Sequence, residues 1–128
     1  MNPDQIRGLY ASGWEIGSHS LSHVDLTQRS DRQMDEIVES RRKLQSLLGV
    51  PILSFSYPFG AYDESSVYYA HSAGYVAAVG LGNESLQGNK NLFYLYRQAV
   101  KGSDDLRTFA LLLPWQELEN LPAITIVP

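Results

Sequence analysis

The sequence contains no cysteine, which excludes disulfide bonds and thiolate metal ligands. It also lacks any apolar run near the roughly 20 residues that a membrane-spanning helix requires. The first four residues are polar, and we therefore expect no signal segment in this chain. Basic residues are few, with 10 Lys and Arg against 14 Asp and Glu, and the net charge of −4 argues against a nucleic-acid partner.

The rest of the composition is that of an ordinary globular domain. The chain has 128 residues, 44% of them hydrophobic and 19% charged, which suffices for one domain with a modest core. Apolar periodicity and turn residues predict helices at residues 3–11, 30–48, 64–73 and 104–113, and strands at residues 14–18, 52–57, 75–79 and 92–96. Strands that alternate with helices indicate parallel βα units, so the predicted fold class is α/β. We assign residues 1–113 to the domain and residues 114–128 to a C-terminal tail of ambiguous structure.

The predicted helix at residues 30–48 has the most regular pattern. Ser30 and Gln33 fit a capping box, in which each side chain satisfies a free backbone N–H at the helix start. One side of the helix is apolar, and we interpret its charged residues, Glu36 among them, as a solvent-facing side. The predicted N-caps of the other three helices are Asn2, Asp63 and Ser103.

Two histidines four residues apart, His19 and His23, follow a short apolar run and Gly17. A neutral imidazole is a good ligand for zinc and its first-row neighbours. The same spacing also makes two residues neighbours on one helix face, and two imidazoles are fewer than the three or four ligands of a usual site. The turn-rich context after a predicted strand favours a metal site, because α/β folds place their chemistry at strand ends.

Three stretches carry a family resemblance. The string GWEIGSHSLSHVDL at residues 13–26 resembles the second motif of the NodB-type polysaccharide deacetylases, which are the family four carbohydrate esterases. The string SFSYPFGAYD at residues 54–63 resembles their third motif, and AGYVAAV at residues 73–79 resembles one of their strands. The order and spacing agree with the family to about residue 113. The resemblance implies a distorted seven-stranded (β/α) barrel of the polysaccharide deacetylase type, of which this chain holds a part.

The resemblance also implies a reaction, the hydrolysis of N-acetyl groups on N-acetylglucosamine-containing polysaccharide. His19 and His23 would be the ligands of a divalent metal, with zinc expected and cobalt or nickel as alternatives. Ser20 would brace the loop between them. The backbone N–H of Phe59 would contribute to an oxyanion hole.

Three further residues are implied as substrate-binding. Tyr57 and Pro58 belong to the third motif, and Arg97 lies in a segment that resembles a Leu-x-Arg-x-x-Val pattern of one branch of the family. The same residues have simpler interpretations. Tyr57 and Pro58 would pack in an ordinary aromatic turn, and Arg97 would pair with an acid on the surface.

The sequence departs from the family in places that carry chemistry. Nothing matches the first motif, T-F-D-D, which supplies the base and an acidic metal ligand, and no histidine matches the general acid. Ser56 stands where many members have an arginine, whereas His71 and Asp25 are interpreted as a helix-surface residue and a local turn residue. Three functions stay open: a deacetylase that is incomplete in this chain, a non-catalytic carbohydrate-binding module, and an α/β domain with structural histidines.

Two expectations concern the surroundings of the chain. A partial parallel sheet exposes strand edges and apolar faces, which predicts self-association. The family resemblance implies that the parent protein acts outside the cytoplasm or at the cell envelope.

Overall fold

The structure is a computed structural model that describes residues 1–82 and 89–113. The helices are α1 (Pro3–Ala11), α2 (Gln33–Leu48), α3 (Glu64–Ser72) and α4 (Leu106–Leu111), and the strands are β1 (Ser54–Ser56), β2 (Ala77–Leu81) and β3 (Leu95–Arg97). Single 3₁₀ turns lie at Leu26–Gln28, Pro58–Gly60 and Asn89–Asn91. No helix within the described ranges is long and apolar enough to cross a membrane. The predicted tail at residues 114–128 lies outside the described residues.

The described strands form a parallel sheet in the order β1-β2-β3, which confirms the predicted α/β class with parallel βα units. The predicted strand at residues 14–18 is wrong except at its last residue. Ser18 alone pairs with β1, where its N–H donates to the Ser54 carbonyl at 2.9 Å and its carbonyl accepts from the Ser56 N–H at 2.8 Å. The residues before Ser18 form no ladder with the described strands.

The two faces of the sheet differ in what covers them. Helices α2 and α3 pack against each other and bury the apolar side chains Leu26, Ile37, Ile52, Phe55, Tyr75 and Ala78. Successive side chains of a strand point to opposite faces, so Phe55 enters this core while Ser54 and Ser56 point away from it. The second face therefore borders an open cleft. Residues 19–23, which we call the histidine loop, begin at the edge of this cleft with His19.

Helix α2 differs from its prediction in two respects. It begins at Gln33, and Arg32 is an N-cap without a side-chain hydrogen bond, so the predicted capping box at Ser30 is wrong. The predicted solvent-facing role of Glu36 is also wrong, because its side chain is 0% exposed. Met34, whose helical spacing from Ile37 predicts the apolar side, is 55% exposed. The buried side is partly polar because backbone groups of the histidine loop lie against it.

The remaining helix caps and element bounds agree with the sequence prediction at some positions and differ at others. The predicted caps Asn2 and Asp63 are confirmed, accepting from the N–H groups of Gln5 at 2.9 Å and Ser66 at 2.8 Å. The last helix is capped by Asp105 rather than by Ser103 and starts two residues later than predicted, at Leu106. Strand β1 is shorter than the predicted strand at residues 52–57, β2 starts two residues later than predicted with the same length, and β3 covers only Leu95–Arg97. No residue of α1 is fully buried, although its apolar side is partly covered.

Candidate functional site

The histidine loop brings His19 and His23 together, as the sequence predicted. Their ring centroids are 4.9 Å apart and the rings are inclined by 65°. Ser20 and His23 have φ values of 66° and 56°, in the left-handed region that residues other than glycine rarely adopt. Phe59, with φ 58°, is the other non-glycine residue of the described chain in this region. Backbone strain of this kind concentrates at functional sites, and here all of it lies around the two imidazoles.

His19 is held in a defined tautomer by the backbone. Its Nδ1 lies 2.7 Å from the carbonyl oxygen of Ser56. A carbonyl oxygen only accepts hydrogen bonds, so Nδ1 carries the proton and donates. In a neutral imidazole the other ring nitrogen, Nε2, then carries the free lone pair, which is the arrangement of a metal-binding histidine. The residue at position 56 thus contributes its main chain, whatever its side chain.

Ser20 and Glu36 hold the loop between the histidines. Ser20 Oγ accepts from the His23 N–H at 3.0 Å, in agreement with the bracing role that the resemblance implied. Glu36 Oε2 accepts from the N–H groups of Leu21 at 2.9 Å and Ser22 at 2.8 Å. Glu36 is the residue that the sequence interpretation missed. The available signal was its helical spacing from Gln33 and Ser40, which are also buried.

Glu36 is charged although it is buried. Its Oε1 accepts from Ser22 Oγ at 2.5 Å and lies 2.8 Å from an Arg32 guanidinium nitrogen. Burial raises the pKa of this carboxyl, but the hydrogen bonds from Ser22 and Leu21 and the charge of Arg32 outweigh burial. The pKa of Glu36 therefore lies below its usual value.

Phe59 lies on the tight turn that follows β1, opposite His23. Its ring centroid is 4.8 Å from that of His23, and the side chain is 62% exposed. The turn is closed by hydrogen bonds from Gly60 N–H to the Tyr57 carbonyl at 2.9 Å and from Ala61 N–H to the Pro58 carbonyl at 3.1 Å. Among the described residues, none accepts a hydrogen bond from the Phe59 N–H.

Two of the predicted substrate-binding residues are buried. Tyr57 is 0% exposed, and its hydroxyl donates to the Phe93 carbonyl at 2.8 Å. Burial raises the pKa of the Tyr57 hydroxyl well above its ordinary value. Pro58 is also buried. Their burial argues against direct contact with a ligand, and in the structure both support the turn that presents Phe59.

Arg97 lies at the cleft that borders the second face of the sheet. The cleft has a volume of about 530 Å³ and is lined by Glu15, Gly17, Ser18, His19, Ser54, Phe55, Ser56, Val79 and Arg97. Arg97 Nε donates to the Gly80 carbonyl at 3.3 Å. None of the described carboxylates forms an ion pair with Arg97, so the alternative of pairing with a surface acid finds no partner in this part of the chain.

The donor set is suited to a metal but is partial. Two imidazoles, one of them with its Nε2 left free, are fitting ligands for zinc. Within residues 1–82 and 89–113, no third His, Cys, Asp or Glu joins them to form a metal-binding group. Asp25 is occupied locally, accepting from the N–H of Thr27 at 3.0 Å, and His71 is an exposed residue of α3 whose ring packs on Phe93. These placements agree with the roles that the sequence suggested for both.

Comparisons with known proteins indicate the family to which the chain belongs. A gellan lyase from a Bacillus species is 35% identical over 86 residues, which are 64% of this chain and 3% of that protein. The protein YxkH of Bacillus subtilis (strain 168), which is named as a polysaccharide deacetylase, is 23% identical over 101 residues, which are 78% of this chain and 36% of that protein. The chain thus spans well under half the length of either relative.

The fold is shared with a solved deacetylase. The structure of Streptococcus pyogenes deacetylase PplD, in complex with acetate, superposes with a TM-score of 0.80 at 21% identity, covering 88% of this chain and 50% of that one. This likeness confirms the prediction of a partial barrel of the polysaccharide deacetylase type. The family model described as polysaccharide deacetylase matches residues 1–78. The chain belongs to the polysaccharide deacetylase family.

Proposed function

We propose that this chain carries the metal-binding and oxyanion-binding parts of a site that removes N-acetyl groups from N-acetylglucosamine-containing polysaccharide. The reaction adds water across the amide C–N bond. The acetyl carbon gains a hydroxyl and leaves as acetate, while the nitrogen gains a proton and stays on the sugar as an amine. The supporting observation is the pair His19 and His23, held in a strained loop with His19 Nδ1 committed to a carbonyl.

Zinc is the metal that we propose, with cobalt or nickel as alternatives, because imidazole suits all three. When bound, such a metal polarises the acetyl carbonyl and makes water a better nucleophile. His19 and His23 would provide two of its ligands. The acidic ligand, the base and the general acid have no counterpart among the described residues, so complete turnover requires groups that this part of the chain does not supply.

The remaining roles belong to the turn and to the cleft. The Phe59 N–H would donate to the acetyl oxygen as that oxygen gains negative charge, which is how backbone donors stabilise an oxyanion. Tyr57 and Pro58 would act through the turn rather than by contact with sugar. Arg97 would donate hydrogen bonds to the polysaccharide, since it lines the same cleft as His19.

A non-catalytic carbohydrate-binding module is the second candidate. The observation that favours it is the partial donor set, since no third His, Cys, Asp or Glu among the described residues joins His19 and His23 as a metal-binding group. Under either candidate the ligand is a polymer of N-acetylated sugars. We propose accordingly that the parent protein acts outside the cytoplasm or at the cell envelope.

The two candidates are separated by measuring acetate release and binding on the same samples. The ligand is an oligomer of N-acetylglucosamine, offered with zinc and with a chelator to the chain and to the His19→Ala variant. Release of acetate, or binding without release, that requires zinc and is lost in His19→Ala supports the deacetylase. Binding that persists with chelator and without release supports the binding module. Neither release nor binding would contradict both.

A further inference from the structure

Helix α2 contacts the chain at two places, just before His19 and between His19 and His23. Ser40 Oγ lies 2.7 Å from Ser18 Oγ, immediately before His19. One helical turn earlier, Glu36 accepts three hydrogen bonds from Leu21 and Ser22, two of the three residues between the histidines. The loop backbone is therefore fixed on one face of α2, while both imidazoles project from it.

Packing alone does not explain why a charged residue, Glu36, occupies this buried position. A buried carboxylate loses its hydration, and an apolar residue at a helix–loop contact avoids that cost. Glu36 is compensated by the loop donors and by Arg32, which is 40% exposed. Both of its oxygens accept hydrogen bonds from the segment that separates His19 from His23.

The loop conformation explains the need for such an anchor. Ser20 and His23 adopt left-handed backbone conformations, which a free loop would leave. Bonds to two consecutive N–H groups from one carboxylate oxygen fix the direction of the chain between these two residues. Loss of the carboxylate would let the loop relax and would separate the two imidazoles.

We propose that Glu36 is a positioning residue that sets the geometry of the His19–His23 pair for metal binding. This inference rests on the proposed function, because it assigns Glu36 to the same metal site. Glu36 does not contact either imidazole and acts through Leu21 and Ser22. It holds the loop in its metal-binding form before any metal arrives.

Two substitutions separate the hydrogen bonds from the charge. Glu36→Ala removes both oxygen atoms that accept hydrogen bonds from Leu21 and Ser22. Glu36→Gln keeps a carbonyl oxygen that can accept from the Leu21 and Ser22 N–H groups, and its amide can donate to Ser22 Oγ. Ser22→Ala removes one bond from an exposed position and leaves the helix unchanged. Ile37→Ala, in the adjacent fully buried position, is the control for a general loss of stability.

The probe is Co²⁺ alone, titrated into the chain and followed by its visible absorption and by calorimetry. Supporting partners of metal ligands typically contribute about 10–100-fold to metal affinity, so we expect at least a tenfold loss in Glu36→Ala. Glu36→Gln should recover most of the affinity, and Ser22→Ala should show a smaller loss. Ile37→Ala should lower the melting temperature without changing the affinity.

Amide hydrogen exchange in the metal-free chain gives a second, independent readout. The Leu21 and Ser22 amides should be protected in the native chain and in Glu36→Gln, and unprotected in Glu36→Ala. If Glu36→Ala does not fold, Glu36→Gln and Ser22→Ala carry the test. Unchanged cobalt affinity in the folded Glu36 variants, or an equal loss in Ile37→Ala, would overturn the inference.

The failure of the proposed function is recognised separately. A native chain that binds no Co²⁺ would refute the metal site. Amide hydrogen exchange would then be the measurement that tests whether Glu36 anchors Leu21 and Ser22. Amides of Leu21 and Ser22 that are unprotected in the native chain, or still protected in Glu36→Ala, would overturn it.

Discussion

The two faces of the three-stranded sheet differ in the burial and polarity of their side chains. On the face covered by α2 and α3, Phe55 and Ala78 of the sheet pack in one core with Ile37 of α2, and each is at most 1% exposed. The other face borders an open cleft, where Ser54, Val79 and Arg97 are among the lining residues. The first face gains free energy from apolar burial, whereas the second gains little and keeps polar groups available. Residues that stabilise the fold and residues available for chemistry therefore alternate along the same strands and point to opposite faces of the sheet.

The largest effect is expected from breaking the buried face at Phe55. Phe55→Ala should lower the free energy of unfolding by about 3–5 kcal/mol, because it leaves a cavity among Tyr57 and Tyr75. Ser54→Ala, next to it on the cleft side, loses one exposed hydrogen bond to Glu15 and should cost about 0.5–1.5 kcal/mol. Denaturant unfolding of both variants provides the comparison, and equal losses would contradict the division between the faces.

A second prediction concerns the turn that carries Phe59 to the cleft. An added Cβ at Gly60 would stand 2.5 Å from Leu81 Cγ, at a φ of +70°. Gly60→Ala should therefore cost about 1–3 kcal/mol or more and displace the Phe59 backbone. Gly49→Ala is the matched control, since Gly49 has the same φ and nothing within 4 Å. Thermal unfolding in which both variants lose the same stability would show that the Leu81 contact is irrelevant.

A smaller effect should appear in the pH dependence of stability. Burial raises the pKa of Asp63, but hydrogen bonds from Ser66 and Gln33 outweigh burial and hold the pKa below its usual value. The unfolded chain then binds this proton more readily, so the contribution of Asp63 is present above about pH 4 and is lost as the pH falls through the folded value. Asp63→Asn keeps the cap and should flatten this part of the curve. Unfolding measured from pH 6 to pH 2.5 with identical slopes would contradict this assignment.

The smallest expected effect is association through the open face. Leu81, at the end of β2, is 49% exposed and belongs to the less covered side of the sheet. We expect weak self-association that rises with concentration, because exposed strand edges and apolar faces favour pairing. Light scattering across a concentration series tests this, and a monomer at every concentration would count against it.

The parts of the fold that the sequence predicted are those with local causes. Asn2 and Asp63 cap helices through bonds to residues three positions away, and Gly49 ends α2 in the left-handed conformation. Such contacts depend on a few neighbouring residues, so the pattern contains them. The parallel βα order followed from the alternation of helical and extended patterns.

The parts that the sequence did not predict depend on distant partners. Glu36 looks like any exposed helix acid until Leu21 and Ser22, about fourteen residues away, are placed against it. The bond from His19 to the Ser56 carbonyl joins residues 37 positions apart and involves a main-chain atom that no side-chain pattern encodes. Residues 14–18 have the composition of a strand, but among them only Ser18 forms a β-bridge to a described strand.

The most direct test of the central claim is the metal content of the chain after loading with zinc or cobalt and dialysis. We predict one bound ion per chain for the native sequence and for His71→Ala, whose imidazole lies on α3 away from the loop. His19→Ala combined with His23→Ala should hold none. Equal metal content in all three proteins, or none in the native chain, would contradict the assignment of the histidine loop as the metal site.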